Sequence, residues 1–187
     1  MTQPKNESNM VSDLIWKPKP QGNHIPDTLG TQYIPYKLVF EDASFMNTQG
    51  HYTKIVASDV HLKGAAFMNA KMEAMNIIST HSIRLDSSAL MNTQMKSLVL
   101  LGKNITLDSA FMMNSTVEDI YIQADKLILD DVAFFNLHNL KTLNMNVKKI
   151  QPTDNTHKLQ YQPSGLKHIW LNDVAYPTLT DLVHGGR

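Results

Sequence analysis

The chain has 187 residues with 17 basic and 17 acidic side chains, enough for one domain with a real core and short for two. Formal neutrality excludes the basic footprint of a nucleic-acid binder. The absence of cysteine excludes a disulfide scaffold, a thiolate metal site and a cysteine nucleophile, and leaves the compartment open.

Residues 1–37 read as an extended, proline-containing arm or cap. In Trp16-Lys17-Pro18-Lys19-Pro20 and Ile34-Pro35-Tyr36 the proline spacing favours an extended segment over a helix. Trp16, among few apolar neighbours, is a candidate docking anchor. The N-terminus lacks the charged-then-apolar order of a signal peptide. A cytoplasmic location is therefore the default expectation, and a secreted or cell-surface one if the chain is a mature or trimmed form.

From residue 38 to 150 the sequence repeats. Asn47, Asn69, Asn92, Asn114 and Asn136 are separated by 22, 23, 22 and 22 residues, and a fixed period implies stacked units. Nine and seven residues before them stand Leu38/Phe40, Val60/Leu62, Ile83/Leu85, Ile105/Leu107 and Leu127/Leu129. Six and eight residues after them stand Thr53/Ile55, Met75/Ile77, Leu98/Leu100 and Ile120/Ile122, with Leu143/Met145 one residue late. Four and two residues before them comes a small-then-large pair, Ala43/Phe45, Ala65/Phe67, Ser88/Leu90, Ala110/Met112 and Val132/Phe134. One residue between apolar positions is strand spacing, and the pieces are too short for helices. The expectation is an all-β, single-stranded parallel β-helix of about five 22-residue coils, with three short inward-facing strand pairs per coil and irregular flanks.

Residues 151–187 start polar. Leu166-Lys167-His168-Ile169-Trp170-Leu171 then reads as a strand, and Thr178 to Val183 as a short helix closed by Gly185-Gly186. This segment is expected to cap the last coil or to lie along the solenoid, with Trp170 as its candidate anchor.

The period and the asparagine column make residues 38–150 resemble parallel β-helix proteins typified by pectate lyases, whose coils carry an asparagine ladder at a tight turn. Read in fives, Ala65-Ala66-Phe67-Met68-Asn69 and the ten residues after it also resemble pentapeptide-repeat proteins, which build square coils. An asparagine at a corner tolerates the left-handed conformation and can chain amide to amide. The column is thus expected to turn inward as a structural ladder, and the glycosylation-like triplets at Asn104 and Asn114 to be chance matches. One residue earlier, Met46, Met68, Met91, Met113 and Phe135 form either an outward apolar stripe, covered by a partner or the C-terminal segment, or adaptable packing.

The resemblance to polysaccharide-active enzymes implies that Lys63, Arg84, Asp86, Asp108 and Asp130, on the outer face of the first strand, would be their candidate carbohydrate or catalytic groups. Phe111 and Tyr121 are the only aromatics expected outward in the middle coils. No nucleophile motif, phosphate-cradling loop or zinc-ligand spacing is present, and neither a cofactor nor a metal is expected. No stretch approaches the ~20 apolar residues that cross a bilayer. The favoured expectation is a non-catalytic module that assembles with itself or with protein partners. The alternative is a carbohydrate-active or carbohydrate-binding β-helix.

Overall fold

The computed structural model describes residues 14–16, 36–42, 44–130, 132–152, 166–179 and 181–182. Its strands are β1 (Leu14–Trp16), β2 (Lys37–Phe40), β3 (Tyr52–Leu62), β4 (Ala74–Leu85), β5 (Gln94–Leu101), β6 (Asn104–Leu107), β7 (Thr116–Leu129), β8 (Thr142–Pro152), β9 (His168–Leu171) and β10 (Val174–Tyr176). They form one sheet wound into a parallel β-solenoid of about five turns.

Register follows the repeat. Met75 pairs with Leu98, Leu98 with Ile120 and Ile120 with Leu143; Ile83 pairs with Ile105 and Ile105 with Leu127. These columns point inward and are buried. Burying one such aliphatic side chain contributes about 1.5–3 kcal/mol, so the stacked columns are the main source of stability.

Each coil has two strand runs and a third side made of turns. Alternation slips by one residue at the corners, where two successive residues face out, as at Ser58-Asp59, Glu73-Ala74 and Asp125-Lys126. That slip lets both runs keep their apolar side inward. The backbone turns there around a shared acceptor: the amides of Glu73 and Ala74 both donate to the His51 carbonyl at 3.0 Å, and those of Asp125 and Lys126 to the Lys103 carbonyl at 3.0 and 2.9 Å.

The single 23-residue interval between asparagines has a local origin. Ala57 pairs with Ser79 but Asp59 pairs with Ser82, so the extra residue sits at the corner around His81. A second lies between His138, which pairs with Thr116, and Thr142, which pairs with Asp119. It accounts for the late Leu143.

The third strand pair expected per coil is replaced by turns. Ala65, Ser88 and Ala110 have φ of 59°, 60° and 51°, which no strand permits. The inward place falls instead to Ala66, Ala89, Phe111 and Ala133, one residue later; Ala43 lies outside the described residues. Phe111, expected outward, is 0% exposed and packs edge-on against Phe134.

At the lower end, β1 and β2 both lie parallel to β3, with Trp16 level with Ile55 and Lys37 level with Asp59. The Tyr36 carbonyl accepts from the Ser58 amide at 3.0 Å; the remainder of the 1–37 arm, and the Trp16 side chain, lie outside the described residues.

At the upper end β9 stacks parallel on β8, and β10 returns antiparallel through Asn172-Asp173, both left-handed. The Asn172 side chain accepts from the Val147 amide and donates to the Val147 carbonyl, each at 2.9 Å, continuing the ladder where the backbone has turned away. A helical turn that includes 179 and 181–182 is capped by Thr178, whose Oγ1 accepts from the Asp181 amide, and it buries Leu179 and Leu182. Val183 and Gly185-Gly186 lie outside the described residues.

Candidate functional site: the turn side and the charged strand face

The apolar-apolar-asparagine triplet is three positions of one turn. In Leu90-Met91-Asn92-Thr93 the Thr93 amide donates to the Leu90 carbonyl, and Asn92 has φ of 55°. A left-handed third residue is what a type II turn requires, and asparagine is one of the few side chains that tolerates it. Leu90 is buried, Met91 half-buried and Asn92 exposed. Asn47, Asn69, Asn114 and Asn136 repeat the conformation, with φ between 51° and 60°.

The ladder forms on the outside of the solenoid. Asn69 Nδ2 donates to Asn47 Oδ1 and Asn92 Nδ2 to Asn69 Oδ1, each at 3.1 Å, and Asn136 donates to Asn114. All five asparagines are exposed. The expectation of an inward column is corrected: the left-handed residue swings its side chain away from the core. Asn114 and Asn104 are therefore surface residues, and burial cannot dismiss their triplets.

The polar groups facing inward at this corner are hydroxyls. Thr93 and Ser115 are both fully buried; their hydroxyl oxygens lie 3.1 Å from each other and 2.9 and 2.6 Å from the Leu90 carbonyl oxygen, a triangle in which each hydroxyl has one proton to give. Thr48, Ala70, Thr93 and Ser115 follow the first four asparagines, and Leu137 the fifth.

Beside the ladder runs the methionine stripe. Met46 is 45% exposed; Met68, Met91, Met113 and Phe135 are half-buried. The stripe therefore faces outward. Of the C-terminal segment, β9 stacks above β8 and not along it. Trp170 tops the outward column Val99–Tyr121–Asn144 on the strand face and is 37% exposed.

On the other strand face a cluster spans three coils. Asp86 Oδ2 lies 2.9 Å from His61 Nε2 and 2.7 Å from Arg84 Nε, while Arg84 Nη2 reaches Asp108 at 3.3 Å. Asp86 is buried, and its Oδ1 has no hydrogen-bond partner among the described residues. Burial works to raise the Asp86 carboxyl, but the hydrogen bonds and charges of His61 and Arg84 together outweigh it and hold it below its ordinary value. Lys63 pairs with Glu41, whose hydrogen bond and charge raise it. Asp130 accepts from the Val132 amide at 2.9 Å. The structure thus brings together Arg84, Asp86 and Asp108 and adds His61, with Lys63 paired to Glu41 and Asp130 accepting from the Val132 amide.

A further column escapes a reading based on apolar period. At the corner between the turn side and the first strand run stand His51, Glu73, Lys96, Glu118 and Lys141, one per coil, their signs alternating upward from Glu73. Lys96 Nζ lies 3.1 Å from Glu73 and Lys141 Nζ 2.6 Å from Glu118, with His51 3.6 Å from Glu73. Hydrogen bonding to these lysines, then their charge, holds both glutamates below the usual range.

Among the described residues no group of three or more histidine or acidic side chains is placed to hold a metal ion. No helix among them is long and apolar enough to cross a membrane. No family model, curated protein or solved structure matches the chain.

Proposed function

We propose that the protein is a non-catalytic interaction scaffold: a rigid β-solenoid that presents its turn side to a protein partner. The observation carrying this reading is the stripe. Met46, Met68, Met91, Met113 and Phe135 stand outward on five successive coils beside an exposed amide ladder. A continuous outward apolar strip is a mark of a contact surface. Methionine suits that role, because its flexible, polarizable side chain adapts to an apolar partner.

The carbohydrate alternative has less support. Of its two candidate stacking aromatics, Phe111 is buried, and Arg84, Asp86 and Asp108 are engaged with one another.

The test is a chain carrying Met91→Lys and Met113→Lys, used with the wild type as bait for partner capture and in light scattering for self-association. The expected result is an unchanged circular dichroism spectrum with association lost. Association that survives in a folded double variant overturns the reading.

A further inference from the structure

We propose that the partner of the turn side is a second copy of this chain, bound antiparallel about a twofold axis that crosses the side between its third and fourth coils. The proposal rests on the interaction reading above and adds the partner and its register.

The argument starts from the charged column at the rim. Lys96 stacks on Glu73 and Lys141 on Glu118 through backbone hydrogen bonds of 2.9 and 2.7 Å, and Lys96 lies level with Glu118 between the pairs Met95–Val117 and Ser97–Asp119. The second to fifth coils therefore read negative, positive, negative, positive. The ion pairs inside the chain join exposed or nearly exposed side chains, and such pairs contribute little to folding. They remain open to a second set of opposite charges.

A twofold axis lying across the side sets each column against itself and reverses the order of coils. With the axis between the third and fourth coils, Glu73 faces Lys141 of the second copy and Lys96 faces Glu118, so every charge from the second to the fifth coil meets its opposite. Shifting the axis by half a coil, onto the third, sets Lys96 against Lys96 and Glu73 against Glu118. One sequence pattern thus favours one register and penalises its neighbour, which is how charge specifies an interface. An isologous contact needs this self-complementarity.

The same rotation treats the rest of the side consistently. Met91 meets Met113 of the second copy, and the exposed amide of Asn92 meets that of Asn114. An amide carries both donor and acceptor and is complementary to itself. The result is an apolar stripe and an amide row bordered by a charged rim, the usual anatomy of an interface. Five coils at ~4.8 Å give a strip only about 24 Å long, and its register is set by exposed charges. The dimer is therefore concentration-dependent and weakened by salt.

The experiment uses the full chain in two charge-reversed forms, one with Glu73→Lys and Glu118→Lys, the other with Lys96→Glu and Lys141→Glu. In sedimentation equilibrium at low salt, the wild type should dimerise, each variant alone should be monomeric, and an equimolar mixture should recover the dimer. A wild type that stays monomeric at millimolar concentration in low salt overturns the proposal, as does a mixture no more associated than its parts. Should a variant fail to fold, zero-length carbodiimide cross-linking of the wild type decides. Lys141 and Glu73 sit three coils apart, about 14 Å within one chain, so a link between them must join two copies, and its absence overturns the proposal. A monomeric wild type that still loses a protein partner on Met91→Lys and Met113→Lys keeps the scaffold reading while removing this one.

Discussion

His61 Nε2 and Asp86 Oδ2 stand 2.9 Å apart, tying the strand of one coil to the corner of the next. Arg84 holds the same oxygen from the side, and Asp86 is buried enough that solvent screens these contacts weakly. The folded carboxyl lies below its unfolded value, so its contribution is fully present above the ordinary carboxylate pKa of about 3.9. It is lost as pH falls through the lower folded value. Asp86→Asn should cost about 1–3 kcal/mol at neutral pH. The gap to wild type in chemical denaturation should close toward pH 2; a gap that stays constant would show that the charge is not what matters.

At the asparagine corner the conformation and the amide chain can be separated. Asn92 has φ of 55° and bonds Asn69 in an exposed row. Asn92→Gly keeps the turn and loses the amide, whereas Asn92→Ala loses the amide and strains the turn. Alanine should be the worse by about 1 kcal/mol in denaturant melts. Equal losses would assign the cost to the amide ladder instead.

Met112 and Met113 are adjacent and face opposite ways, the first 0% exposed and the second half-buried. Met112→Ala should cost about 2–5 kcal/mol through the cavity it leaves. Met113→Ala should cost less than about 1 kcal/mol. Similar unfolding midpoints for the two would contradict the placement of the stripe.

Asn172 closes the upper end with two hydrogen bonds to Val147 while holding φ at 49°. Asn172→Ala should cost about 1–3 kcal/mol and raise amide exchange first in β9 and β10. Unchanged exchange in those strands, with loss elsewhere, would mean that the hairpin does not depend on this side chain.

The strand runs were legible because their period is simple. Positions such as Val60/Leu62 and Ile105/Leu107 are apolar at spacing two, and alternation determines where such side chains point. The turn side was not legible in the same way, because positive φ breaks alternation. Ala65 and Ala110 looked like inward small residues and are left-handed, which displaced Phe111 into the core and swung Asn114 out. The information was present: an asparagine recurring at one place in every coil fits the third position of a type II turn, which needs positive φ. The charged column from His51 to Lys141 is invisible to a period that counts apolar residues alone. Repeat arithmetic carries over to charges, and pairings such as Arg84 with Asp86 add a two-residue spacing that no column reveals.

The reversal of chain direction at β10 has a consequence for size. Parallel rungs can in principle be added without end, each copying the edge below it, but an antiparallel last strand reverses the chain direction that the next parallel rung would copy. At β10 the regular stack of parallel rungs stops. The described coils act as a ruler, and whatever docks on their side meets evenly spaced marks.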